Sequence, residues 1–108
     1  MAGWSNRNQR AYYRKTVSLA GEYARQSNGE IGEMLVEDLS FQGLRFVTLL
    51  PHTLQSGDRL VVRFRLDDAK RTHITKPAEV RFVQERHVGA HFQQAVSMDK
   101  DLGFYLMS

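Results

Sequence analysis

Two short motifs hold the side chains best suited to chemistry. Arg10-Ala-Tyr-Tyr-Arg14 lies near the start, and Asp38-Leu-Ser40-Phe-Gln-Gly43 follows about two dozen residues later. The first sets two permanent cations beside aromatic rings. The second sets a carboxylate, a hydroxyl and a glycine at the end of an apolar run. Arginine forks match phosphate oxygens and the O6/N7 acceptor edge of guanine. A carboxylate accepts from the N–H donors on guanine's opposite edge. The two motifs together therefore offer what a guanine nucleotide needs. Each also has a plainer reading. Arg59 and Arg63 repeat the arginine spacing inside a well-patterned strand, where they read as a solvated face. Asp, Ser and Gly at this spacing also build a turn through local backbone hydrogen bonds.

Charge placement favours the first motif. The net charge is +3. Residues 1–15 carry Arg7, Arg10, Arg14 and Lys15 with no acid, or +4, and the remainder carries 11 bases against 12 acids, or −1. A basic arm, residues 1–15, thus precedes a near-neutral body, residues 16–108, and such an arm attracts a compact anion. A near-neutral body counts against a strand-tracking nucleic-acid groove, which should itself be basic.

The body reads as strand. Leu60, Val62, Phe64 and Leu66 alternate with Arg59, Val61, Arg63 and Arg65, as expected for an antiparallel strand with one buried face. Ala78, Val80 and Phe82 form a similar inward set, as do Val88, Ala90 and Phe92, and more loosely Leu44, Phe46 and Leu50. Val17, Leu19 and Tyr23 mark a first strand, and 31–36 a second. Connections are expected at 27–29, 38–43, 51–57 and 67–71. Six short strands without a long helix between them indicate an all-β fold, a small antiparallel barrel or sandwich. Ser97 is a candidate N-cap for a short final helix whose Leu102, Tyr105 and Leu106 would plug one barrel mouth.

Other chemistries find little support. The chain has no cysteine, which removes disulfides, thiolate catalysis and cysteine-bound zinc. His87 and His91 would stand roughly 13 Å apart along a strand, too far to share a metal ion. No nucleophile has a recognisable base, so an enzyme is not expected. There is no apolar leader and no run long enough to cross a membrane, so a soluble cytoplasmic protein without membrane insertion is expected.

The two motifs, the Leu44-Arg45-Phe46 strand after the second, and the late strand Val88-Gly89-Ala90-His91-Phe92 resemble a PilZ domain over residues 8–106. PilZ domains are bacterial receptor modules for cyclic di-GMP. The resemblance implies a six-stranded antiparallel β-barrel with a flexible N-terminal arm and a short C-terminal helix. It implies that Arg10 and Arg14 grip guanine and phosphate, that Asp38 and Ser40 recognise guanine, and that Gly43 permits close backbone approach. Arg7 and Lys15 are weaker candidates for a second phosphate. The implied ligand is cyclic di-GMP with no cofactor and no metal, and the implied partner is an unidentified downstream protein. Motility, polysaccharide secretion and gene expression are all outputs of the family. Some members lack the motifs and act as protein adaptors only.

Overall fold

The computed structural model describes residues 14–93 and 100–107, the latter without the side chains of Lys100 and Phe104. Six strands follow one another: β1 (Arg14–Arg25), β2 (Ile31–Ser40), β3 (Gly43–Thr48), β4 (Arg59–Arg65), β5 (His73–Gln84) and β6 (His87–Phe92). A helix, α1 (Lys100–Met107), ends the chain. The strands close into one antiparallel barrel in the order β1-β2-β3-β6-β5-β4, which decides for the barrel over the sandwich.

Period-two alternation fills the interior. Leu60, Val62, Phe64 and Leu66 point inward from β4 and its end, and meet Leu19, Met34, Phe46, Ala78, Val80 and Val88 from the other strands. Tyr23 stacks on Phe46 with ring centroids 5.9 Å apart. Leu102, Tyr105 and Leu106 join the same core, so α1 closes the barrel as the sequence predicts. Ser97, the candidate cap, lies outside the described residues, as do Arg7 and Arg10.

Three expectations need correction. Arg14 and Lys15, assigned to the arm by composition, are barrel residues, because they pair with Ser40 and Leu39 across β1 and β2. Leu50 does not share a face with Leu44 and Phe46. β3 ends at Thr48, whose side chain is buried and donates to the Leu50 carbonyl at 2.8 Å, while Leu50 itself is exposed. Phe82 does not follow Ala78 and Val80 inward. Val80 pairs with Ala90 but Phe82 with Gly89, so Arg81 is an extra residue on β5 and parity reverses beyond it. Phe82 is consequently exposed and Val83 packs on the core.

Two further irregularities matter for function. Between β2 and β3, Val36 faces Phe46 and Asp38 faces Arg45, which makes Glu37 an extra residue. Between β1 and β2, Thr16 faces Asp38 and Leu19 faces Val36, which adds one residue to β1. Strict alternation from Met34 and Val36 would send Asp38 into the core. The extra residue sends Leu39 there instead and turns Asp38 outward.

The packing gives two checks on stability. Leu102→Ala, at a fully buried helix position, is expected to cost about 2–5 kcal/mol in urea unfolding. Leu50→Ala should stay within about 0.5 kcal/mol, as for surface positions generally. Tyr105 supplies a pH signature. Burial first, and then its hydrogen bond to Asp67, push its phenol above the ordinary value of 10.0. A neutral group whose folded pKa is raised contributes stability that is full below its unfolded pKa and is lost as pH rises toward the folded value. The urea midpoint should therefore fall above about pH 10, and fall less in Tyr105→Phe.

Candidate functional site

Arg14 and Asp38 meet at the outer surface where β1 and β2 begin and end. The guanidinium Nε and Nη2 each lie 2.7 Å from Asp38 Oδ2. Both contacts fall on one carboxylate oxygen, Oδ2, so Arg14 leaves Oδ1 unused. The Asp38 side chain is 12% exposed and that of Arg14 60%. The structure therefore joins the two motifs directly through their most strongly charged members.

Ser40 and Gly43 act differently. The Ser40 hydroxyl accepts from the backbone N–H groups of Gln42 at 3.1 Å and Gly43 at 3.2 Å, and donates to the Gly43 carbonyl at 3.2 Å. It thereby ties the two-residue Phe41-Gln42 turn between β2 and β3. The connection expected over 38–43 shrinks to that turn, because Asp38 to Ser40 remain in strand. Gly43 is not among the positive-φ glycines. A side chain there would strike the Ala90 carbonyl oxygen of β6. Its role in the barrel is close strand-to-strand approach.

A groove of about 230 Å³ opens beside the ion pair. Arg14, Asp38, Arg45, Arg81, Phe82 and His91 contribute its functional side chains. Among the described residues that line it, three arginines and one histidine face one carboxylate, so the groove suits an anion. Sites that enclose a whole drug-sized ligand are typically roughly 300–1,000 Å³, so this wall can seat part of a dinucleotide and would need a second wall from elsewhere. The ring of Phe82 lies where a side chain on Gly89 would be, covering the bare backbone of β6 and offering an aromatic face at the groove edge.

Sequence reasoning missed Arg45, Arg81, Phe82 and His91. Arg45 was within reach. Once the turn is Phe41-Gln42, counting back along the hairpin sets Leu39 against Leu44 and Asp38 against Arg45, before the extra Glu37 shifts the register. Arg81 and Phe82 carry no such signal, since only the bulge in β5 turns them to this surface.

Lys15, a weaker phosphate candidate, points away from the groove. Its Nζ donates to the Tyr105 carbonyl at 3.4 Å and sits 4.3 Å from the centroid of that ring. Among the described residues no group of histidine and acidic side chains could hold a metal ion.

Comparison with known proteins assigns the family. The family model for the PilZ domain matches residues 8–106, nearly the whole chain. The chain belongs to the PilZ family. No curated protein matches the sequence significantly. Among solved structures it is similar to the Bacillus subtilis inhibitor of motility MotI/DgrA, with a TM-score of 0.75 and 20% identity over 88% of this chain. The match covers 48% of that protein, so the chain spans about half its length. It is also similar to the PilZ domain of CeSA from a cellulose-synthesizing bacterium, with a TM-score of 0.64 and 18% identity over 87% of this chain and 90% of that one. At these identities the likeness is one of fold. PilZ domains are binding and adaptor modules, and the family is one of cyclic di-GMP receptors. No helix among the described residues is long and apolar enough to cross a membrane.

The roles of Ser40 and Gly43 are separable by stability. Gly43→Ala should force β3 from β6 and cost about 1–3 kcal/mol, in the range of overpacking. Ser40→Ala should cost about 1 kcal/mol through its lost turn bonds. Denaturant unfolding of both variants without any ligand checks these values.

Proposed function

We propose that this PilZ domain is a non-enzymatic receptor for cyclic di-GMP that passes binding to a partner protein through a change of surface. The observation that carries the reading is the Arg14–Asp38 pair at the mouth of a cation-lined groove. The ligand brings two negative charges and two guanines. Arg14 and Arg45 supply charge-assisted donors for phosphate and for the guanine O6/N7 edge. Asp38, through the oxygen that Arg14 leaves unused, accepts from guanine's N–H edge. Phe82 offers a face for base stacking. By the family resemblance Arg10 is the second arginine of the grip, with Arg7 a weaker candidate for the second phosphate. Ser40 and Gly43 serve by holding the turn and strand that present Asp38.

The neighbouring contacts supply a route outward. Arg14 holds Asp38, and the next residue, Lys15, holds Tyr105 of α1. A ligand that recruits the Arg14 guanidinium competes with the ion pair and acts one peptide unit from the helix contact. The surface around α1 is therefore where a partner would sense the ligand.

Calorimetric titration with cyclic di-GMP, with GTP and cyclic di-AMP as controls, tests the reading. Saturable binding of cyclic di-GMP alone is expected. Arg14→Ala and Asp38→Ala should each weaken it roughly 10- to 150-fold, the loss of one charge-assisted contact. Arg59→Ala, at the same spacing motif on β4, should leave it unchanged. A folded sample that takes up no ligand would instead favour a protein adaptor in which the second motif only makes a turn.

A further inference from the structure

A second groove, of about 460 Å³, opens on another part of the wall. The barrel is incompletely zipped there. β1 pairs with β4 only from Gly21–Phe64 to Arg25–Leu60. N-terminal to Gly21, β1 keeps β2 as a neighbour but has no pairing with β4. Ser18, Leu19 and Ala20 thus line an open seam facing Arg65 and Leu66.

The seam is basic. Arg63, Arg65, Arg71 and His73 line it, against Glu22 and Asp67. Both acids are engaged. Glu22 lies 3.5 Å from Arg63, and Asp67 accepts the Tyr105 hydroxyl. No carboxylate pairs with Arg65 or Arg71 among the described residues. Arg71 is also held in a conformation that favours glycine, at φ 53°. Asp68 fixes it there. Its carboxylate accepts from the Thr72 backbone N–H at 2.9 Å and hydroxyl at 2.8 Å, and its carbonyl accepts from the Arg71 N–H at 3.1 Å. These bonds lower the Asp68 pKa, so the brace holds at neutral pH. A rigid turn thus presents a long cation where a glycine would be easier.

We propose that this seam binds an extended acidic segment of a partner protein. The segment adds as a strand beside Ser18–Ala20 and sets alternate carboxylates against Arg65, Arg71 and His73, with Arg63 shared with Glu22. Two observations select this occupant. The open edge of β1 offers main-chain partners, which a peptide strand uses and a phosphodiester chain does not. The cations also have strand periodicity. Arg63 and Arg65 are two residues apart on one face, roughly 6.6–6.8 Å, and His73 lies directly across from Arg65. An extended chain with an acid at every second residue repeats at that spacing. The chain's own N-terminal arm is not this occupant, since residues 1–13 hold Arg7 and Arg10 and no acid.

The test is fluorescence anisotropy of the full chain with a labelled octapeptide of alternating glutamate and threonine, at low and at high salt. Saturable binding that weakens with salt is expected. A peptide of the same composition with its glutamates in one block should bind more weakly. The double variant Arg65→Glu, Arg71→Glu should weaken binding by at least about tenfold. Arg59→Glu, on the same strand but outside the seam, should retain it. Circular dichroism and urea unfolding confirm that each variant is folded. No binding, equal binding of the block peptide, equal loss in Arg59→Glu, or equal binding of a short oligothymidylate would each overturn the proposal.

Discussion

A closed barrel of six short strands has room inside for one layer of side chains, and that layer is mostly apolar, with Thr48 and Lys76 buried at inward positions beside it. Alternation along each strand then decides which residues face out, and a charge on the wrong parity would have to enter the core. Asp38 stands at that hazard, two residues after Val36 on a strand whose inward set is Met34 and Val36. An unpaired carboxylate in the interior costs several kcal/mol. The extra residue at Glu37 removes the conflict by sending Leu39 inward and Asp38 out. The bulge at Arg81 shifts parity on β5 as well, turning Phe82 out and Val83 toward the core. The distortions that let the core close are therefore the ones that build the groove.

The ion pair between Arg14 and Asp38 contributes little to stability as such, because Arg14 is more than half exposed and solvent screens the pair. Its importance is positional. Asp38 is mostly withdrawn from water, anchored in a strand bonded on both sides, and so held in a fixed orientation. Arg14 begins the opposite strand and is held from behind by Lys15 on Tyr105. Both partners are thus preorganised by backbone pairing rather than by each other.

Much of the wall was legible in the sequence, because burial on one face leaves a period of two. Leu60 to Leu66 is the clearest instance and faces as its pattern predicts. The failures fall where one extra residue breaks the period, and nothing in the local residue types of Val80-Arg81-Phe82 announces it. Leu50 failed for a related reason. β3 ends early because Thr48 bonds the Leu50 carbonyl, and an apolar pair beyond a strand end looks like its continuation. The Asp38 and Arg14 pairing was legible as two motifs, but the contact between them depends on strand register. The turn reading of Ser40 was sound. Gly43 needs no left-handed backbone, and the constraint on it comes from β6, about 50 residues away in the sequence.

Charge placement matters more on this surface than net charge. By composition residues 16–108 are near neutral at −1, which reads as a surface with little pull on anions. Yet two cation-lined grooves appear on it. Several of the acids are engaged in structure: Asp58 holds Arg25 at 2.9 Å, Asp67 accepts from Tyr105, Asp68 braces its turn, and Glu37 lies within 4.0 Å of Arg45 and His87. An acid bonded to a neighbouring turn or strand is fixed where the fold needs it, while exposed arginines such as Arg65, Arg71 and Arg81 extend into the grooves. Net charge sums over all of these, but a ligand meets only what faces it. Neutral composition therefore gives no argument against an anion-binding surface when carboxylates stabilise loops and strand ends, as they do in this barrel.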